Sequence, residues 1–186
     1  MLLPIIETER LLLRMYRADE LEAVYHLITD KDVTRFFPDY YTVDKDYVLS
    51  SLPRRIERWQ KHGFGQLGVF DKETKKLIGY CGLQHLDNTA EVEIYYGLHK
   101  KFWRKGLATE AAKAILRFGF EKIDLPRIVA ATHPNNADSQ KILLKLGMER
   151  GKNARFYELE AAYFFVQRED YRIDETTFYK LDFTEI

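Results

Sequence analysis

Two carboxylates alternate along a β-like run at residues 90–98, "AEVEIYYGL", and a basic turn follows, "HKKFWRKGLATEA". Successive strand side chains point to opposite faces, so Glu91 and Glu93 share one face. A carboxylate there can take a proton from a nucleophile. Glu91 and Glu93 are both candidates for such a base. The plainer reading of either is a strand glutamate facing solvent. The turn opens a helix, whose first amide N–H groups lack partners and whose dipole favours negative charge. Gly106 and Ala108 are small, so a ligand can come close to the backbone. Lys100, Lys101, Arg104 and Lys105 add positive charge. The basic turn and the helix start thus form a candidate phosphate cradle made mostly of backbone. It is not a Walker loop, because G-x-x-x-x-G-K-[ST] is absent. A solvated basic loop before an ordinary helix is the plainer alternative.

A second glycine pattern competes for a nucleotide. Residues 63–68, "GFGQLG", match G-x-G-x-x-G. That fingerprint needs a strand before it and a helix after it. Here the order is reversed. Residues 44–62 look helical, with Asp44 as N-cap and Val48, Leu52, Ile56 and Trp59 at helical spacing. Pro53 is expected to kink or split that run. Two β-like runs follow around the turn "DKETKK". The glycines are therefore read as a helix C-cap and a bend.

The elements that must position the cradle follow from periodicity. "RLLLRMY" reads as a short strand and "ADELEAVYHLIT" as an amphipathic helix with Asp19 near its start. Strands are expected at about 66–70, 76–84 and 91–98, then a long helix at about 105–122 ended by Asp124 and Pro126. "RIVAAT" is a buried-type strand, and "NADSQKILLKLG" a helix closed by Gly147. Strands near 152–158 and 161–168 complete the expected sheet. The fold class is α+β: a mostly antiparallel mixed sheet of about seven strands flanked by helices, with one strand–helix–strand crossover. One domain over 1–186 is expected, with 171–186 as a C-terminal extension. The spacing of Phe178, Leu181 and Phe183 suggests that this extension packs.

Composition narrows the partners. Lysine plus arginine equals aspartate plus glutamate, 29 each, so nothing favours bulk binding to nucleic acid or membrane. Apolar residues make up 46%, ample for a core, yet no run reaches the ~18–20 residues of a membrane span. No signal peptide is evident, and the single cysteine, Cys81, forms no intramolecular disulfide. These features fit a cytoplasmic protein. Neither His85 nor His99 stands in metal-ligand spacing with Cys81, so no metal is expected.

"FWRKGLATEA" followed by "RIVAATHPNNADSQKILLKLGM", with "IETERLLLRMYRADE" at the start, resembles the GNAT superfamily of acyl-CoA-dependent N-acetyltransferases. The pattern is most similar to its RimJ/RimL branch of ribosomal-protein N-terminal acetyltransferases. The resemblance spans about residues 5–170 in family order. It implies the GNAT fold, acetyl-CoA as co-substrate, and amides of about 104–109 holding the coenzyme pyrophosphate. The pantetheine arm would lie beside the strand of Glu93 as an added strand. Asn136 and Ser139 match N-x-x-S, near the arm and thiol. Asn136 also reads as a helix N-cap, and Ser139 as an ordinary early-helix serine. Glu93 aligns with the family glutamate. Two departures matter: Trp103 stands three before the glycine, as in this branch, and Leu143 occupies the slot where many members carry a tyrosine acid. Ser139, water or no acid would then serve the leaving thiolate.

The implied reaction is direct attack of a neutral amine on a thioester. An α-amine titrates at ~7.7–8.0 and a lysine at ~10.4, so a site without a strong base suits the α-amine better. A small amine, such as an antibiotic or polyamine, is the alternative acceptor. A coenzyme-binding module without turnover is the alternative class. The aromatic run "RFFPDYY" is either core or a flexible acceptor-cleft wall; as a wall it offers Phe37, Tyr40 and Tyr41, with Trp59 beside them and His85 from the neighbouring strand. The expected partners are acetyl-CoA and a peptide N-terminus or small amine, with a homodimer left open.

Overall fold

A computed structural model describes residues 2–38 and 41–185. Tyr40, one of the expected cleft residues, lies outside them. The chain runs β1 (Leu2–Thr8), β2 (Leu11–Arg14), a 3-10 turn at Ala18–Glu20, α1 (Leu21–Ile28), α2 (Lys31–Thr34), α3 (Lys45–Leu49) and α4 (Leu52–His62). It continues through β3 (Gln66–Asp71), β4 (Leu77–His85), β5 (Val92–Leu98), a 3-10 turn at Lys100–Phe102 and α5 (Leu107–Glu121). It ends with β6 (Arg127–Thr132), α6 (Ala137–Lys145), β7 (Glu149–Arg150), β8 (Ala154–Phe156), β9 (Leu159–Gln167) and β10 (Tyr179–Glu185).

The sheet order is β10-β1-β2-β3-β4-β5-β6-β9-β7, with β8 on β9. Every pair is antiparallel except β5 with β6, the strands joined through α5. The sheet therefore has ten strands rather than about seven. β1 and β10 pair antiparallel at one edge of the sheet, in register from Leu2↔Glu185 to Thr8↔Tyr179, so the expected extension supplies an edge strand. Pro4 is tolerated in β1 because β2 reaches only Ile6 and Glu7.

α5 is buried almost all round, with Leu107, Ala111, Ile115, Phe118 and Phe120 in the core. It needs close approach to the sheet. A Cβ on Gly119 would lie 2.7 Å from Ile128 Cδ1 and 3.1 Å from Leu83 Cδ1. Leu83 therefore faces α5, and by strand alternation Gln84 faces away from it, toward the cleft. The expected 44–62 helix is split: α3 stops at Leu49, Ser51 N-caps α4, and Pro53 sits in the first turn of α4. Gly63 closes α4 in the left-handed region at φ 74°, and β3 follows without an intervening helix, as the C-cap reading of "GFGQLG" requires.

Candidate active site

β5 and β6 share a single registered pair, Glu93↔Val129. Beyond it the strands part, and residues 94–98 of β5 show a backbone edge unpaired by β6. This V-shaped opening is the gap into which an extended ligand can add itself as a strand. Three cavities line up along it. The first, of about 310 Å³, lies between the start of α5 and α6 and is bounded by Trp103, Arg104, Gly106, Leu107, Ala108 and Thr109. The second, of about 410 Å³, holds Glu93, Tyr157, Leu143, Phe37 and Tyr41. Tyr96, Asn136 and Ser139 line both. The third, of about 340 Å³, shares Phe37, Tyr41, Tyr80, Gln84 and Tyr95 with the second.

At the first cavity Gly106 N-caps α5 with φ 78°, a left-handed conformation that favours glycine, and Arg104 is also left-handed at φ 60°. The first amides of a helix that starts here have no intrahelical partner and point out of its N-terminus. Lys105 lines no part of this cavity; its carbonyl accepts from Arg10 Nη1 at 2.8 Å and its ammonium lies 5.4 Å from the Phe102 ring. The first turn is held from outside by the opening hairpin. Glu110 accepts from Thr8 Oγ1 at 2.6 Å, the Arg10 amide at 2.9 Å and Arg10 Nε at 2.7 Å. The "ETER" and "ATEA" stretches, about 100 residues apart, are thus one physical unit.

Glu93 is 3% exposed. Gln84 Nε2 donates to its Oε1 at 2.8 Å, and the Tyr157 hydroxyl donates to the same oxygen. Burial raises the carboxyl above its ordinary range; these donors and the Ala131 amide oppose that without cancelling it. A raised carboxyl is better matched to accepting a proton near neutrality. Glu91 is engaged elsewhere, accepting from the Tyr163 hydroxyl at 2.7 Å with Arg127 Nη1 3.6 Å away.

Asn136 caps α6, its Oδ1 accepting from the Ser139 amide at 3.2 Å, and it lines the cavities while doing so. Ser139 Oγ lies 3.1 Å from the Tyr96 hydroxyl, whose ionisation burial pushes well above the ordinary range. Leu143, 1% exposed, fills the slot below. Phe37 and Tyr41 stand in the cleft with their rings 4.7 Å apart, edge to face. Trp59 lines the third cavity. His85 does not join them: it projects to the opposite face from Gln84 and packs on His62 and Phe64, at 4.9 and 5.4 Å.

Sequence reasoning missed Gln84, Tyr96 and Tyr157 as site residues. Gln84 follows from register, since it pairs with Glu93 across β4 and β5. Tyr157 carried no such signal. The expected strand at 152–158 hid a two-residue hairpin turn at Tyr157 and Glu158, both left-handed at φ 49° and 62°. Turns of that kind prefer Asn or Gly.

The family described as "Acetyltransferase (GNAT) domain" matches residues 10–149. "Uncharacterized N-acetyltransferase YoaA" of Bacillus subtilis is 29% identical over 83% of this chain and 88% of its own length. "[Ribosomal protein uS5]-alanine N-acetyltransferase" of Escherichia coli is 28% identical over 73% of this chain and 79% of its own. A solved GNAT acetyltransferase from Bacillus anthracis superposes with a TM-score of 0.74 at 25% identity, covering 89% and 99% of the two chains.

Proposed function

The chain belongs to the GNAT acetyltransferase family, and from that premise we propose that its acetyl-CoA-dependent transfer serves an α-amine, such as a peptide N-terminus, with Glu93 as base. The observation that carries this reading is the placement of one buried, raised carboxyl between two cavities, one reaching the α5 amides and one reaching away. Gly106, Leu107, Ala108 and Thr109 would hold the coenzyme pyrophosphate by backbone N–H groups, with Arg104 beside them. Its pantetheine would bond the open edge of β5. The thioester then arrives near Tyr96, Asn136 and Ser139.

The amine nitrogen attacks the thioester carbon. Its proton passes to Glu93, directly or through one water, and the C–S bond breaks as coenzyme A leaves. A raised carboxyl takes a proton more easily from an α-ammonium of pKa ~7.7–8.0 than from a lysine at ~10.4. Leu143 supplies no acid for the sulfur. Tyr96 can donate to Ser139 Oγ, which turns the serine O–H toward the cavity, so two hydroxyls in series stabilise the thiolate. The uS5-alanine relative acts on a ribosomal-protein alanine by its name, which favours the peptide reading.

Thiol release from acetyl-CoA, measured across N-terminal peptides, lysine side-chain analogues and small amines, tests the reading. Peptide α-amines should give the highest kcat/KM. Turnover confined to small amines would replace it.

A further inference from the structure

The third cavity differs in charge from the rest of this neutral chain. α4 sends Arg54, Arg55 and Arg58 into its lining, which includes no aspartate or glutamate. Elsewhere arginines meet carboxylates: Arg10, Arg14, Arg117 and Arg168 do so at 2.6–2.9 Å. Among the described residues none of the three cavity arginines pairs with an acid, Glu57 of the same helix included. Arg54 and Arg58, one turn apart, repel each other, which disfavours the helix. Arg55 is half-buried yet bonds only neutral acceptors: its Nη1 donates to Gln66 Oε1 at 2.5 Å and its Nε to Ser51 Oγ at 3.0 Å. Those two bonds fix the guanidinium plane, and no hydrogen bond of Nη2 is present among the described residues. A fixed, partly desolvated fork is what binds a carboxylate best.

This cavity opens on the reaction chamber. Gln84 lines both and donates to Glu93 at 2.8 Å. Gln66 pairs with Gly82 of β4, and Gln84, two residues on, pairs with Glu93 of β5. Two residues at ~3.4 Å and two strand spacings at ~4.8 Å put Gln66 about 12 Å from Glu93 along the sheet. An extended peptide covers that in three or four residues.

We infer that the Arg54–Arg55–Arg58 cavity reads the acceptor, selecting peptide amines followed within about four residues by aspartate or glutamate. The inference rests on the α-amine reading above. The arginines engage the acidic side chain while the amine reaches Glu93, so their effect falls on acceptor KM more than on kcat.

The test is steady-state acetylation of matched peptides with Asp-Glu, Asn-Gln or Lys-Lys at positions 2 and 3. The acidic peptide should exceed its amide twin in kcat/KM by about 10- to 100-fold, as charge-assisted hydrogen bonds allow. That ratio should shrink with added salt. Arg58→Glu should carry the preference toward Lys-Lys, and Arg55→Gln should collapse the acidic-to-amide ratio through KM. Arg54→Gln combined with Arg58→Gln, at exposed positions, gives the same readout without disturbing Gln66. Equal kcat/KM for acidic and amide peptides in the wild type overturns the inference and leaves α-amine transfer standing. If peptides are not turned over, 6-aminohexanoate against hexylamine reads the charge preference separately. Equal use of those two also overturns it.

Discussion

Replacing Glu93 by glutamine tests the reaction chamber most directly. The change keeps shape and still accepts from the Tyr157 hydroxyl, but cannot take a proton. General acid–base help is worth about 10²–10⁴-fold, so kcat should fall within that range while coenzyme A affinity stays within a few-fold. The loss should shrink as pH rises, because more acceptor arrives neutral. For an α-amine that rescue lies near pH 8–9, about a unit above its pKa, whereas a lysine needs pH above ~10. The same variant has a thermodynamic signature. Burial raises the Glu93 carboxyl, so the folded chain holds this proton more tightly than the unfolded one. That contribution is complete below the unfolded value of ~4.3 and is lost as pH rises through the higher folded value. Glutamine has no such dependence. The melting temperature of the variant relative to wild type should therefore climb from pH 4 to pH 7. pH–rate profiles and thermal melts over that range are the assays. Wild-type turnover at pH 7 would reduce Glu93 to a strand glutamate, and an equal loss at every pH would make it a positioning group. A flat difference in melting temperature would refute the raised carboxyl.

At the proposed coenzyme cradle, Gly106→Glu should abolish coenzyme A binding in calorimetry, since it sets a like charge against the phosphates and forces a side chain onto φ 78°. Normal binding would mean that the cradle lies elsewhere. Glu110→Gln removes the charge that ties Arg10 and Thr8 to the first turn of α5. Because Arg10 is 48% exposed, the stability loss should be only about 1 kcal/mol, a fall of ~2–4 °C in Tm, with coenzyme A bound several-fold more weakly. Unchanged affinity would show that the hairpin does not order the cradle. Tyr96→Phe should lower kcat about tenfold with little change in KM for acetyl-CoA, as expected for losing the hydroxyl that turns the Ser139 O–H toward the leaving sulfur. A change confined to KM would make Tyr96 a binding residue.

Local signals located most of the elements, and long-range pairing accounts for the errors. α5 and α6 could be read because caps, periodicity and terminating residues agree over 9–15 residues. The split at Pro53 followed from ring chemistry alone. β1 has no clear local signal because "LLPIIET" contains proline and its partner, β10, lies about 175 residues away in sequence. β7 has two residues and no periodicity to detect. The hairpin turn at Tyr157 and Glu158 has residues that local preference would not choose for left-handed backbone. A conformation so disfavoured persists only where surrounding contacts hold it. Here the Tyr157 amide donates to Asp87 at 2.9 Å and its hydroxyl reaches Glu93.

The site divides along the same line. The proposed cradle could be read locally because a helix N-terminus is local: glycine, small residues and cations within six positions define it. Glu93 was legible as a residue type on a strand, but its chemistry was not. A glutamate written in a strand has no stated solvation. Only the packing of β4, β6 and the β8–β9 turn around it removes water and raises its carboxyl. The acceptor side was least legible, because its walls come from α4, β3, β4 and the segment around Phe37, and no motif spans them. His85 shows the failure in one residue. It stands next to Gln84 in sequence, yet strand alternation sends it to the opposite face, so adjacency to a site residue predicted the wrong neighbour and register predicted the right one. In a sheet enzyme of this kind, then, the residue to examine beside a candidate catalytic carboxylate is its cross-strand partner rather than its neighbour in the chain.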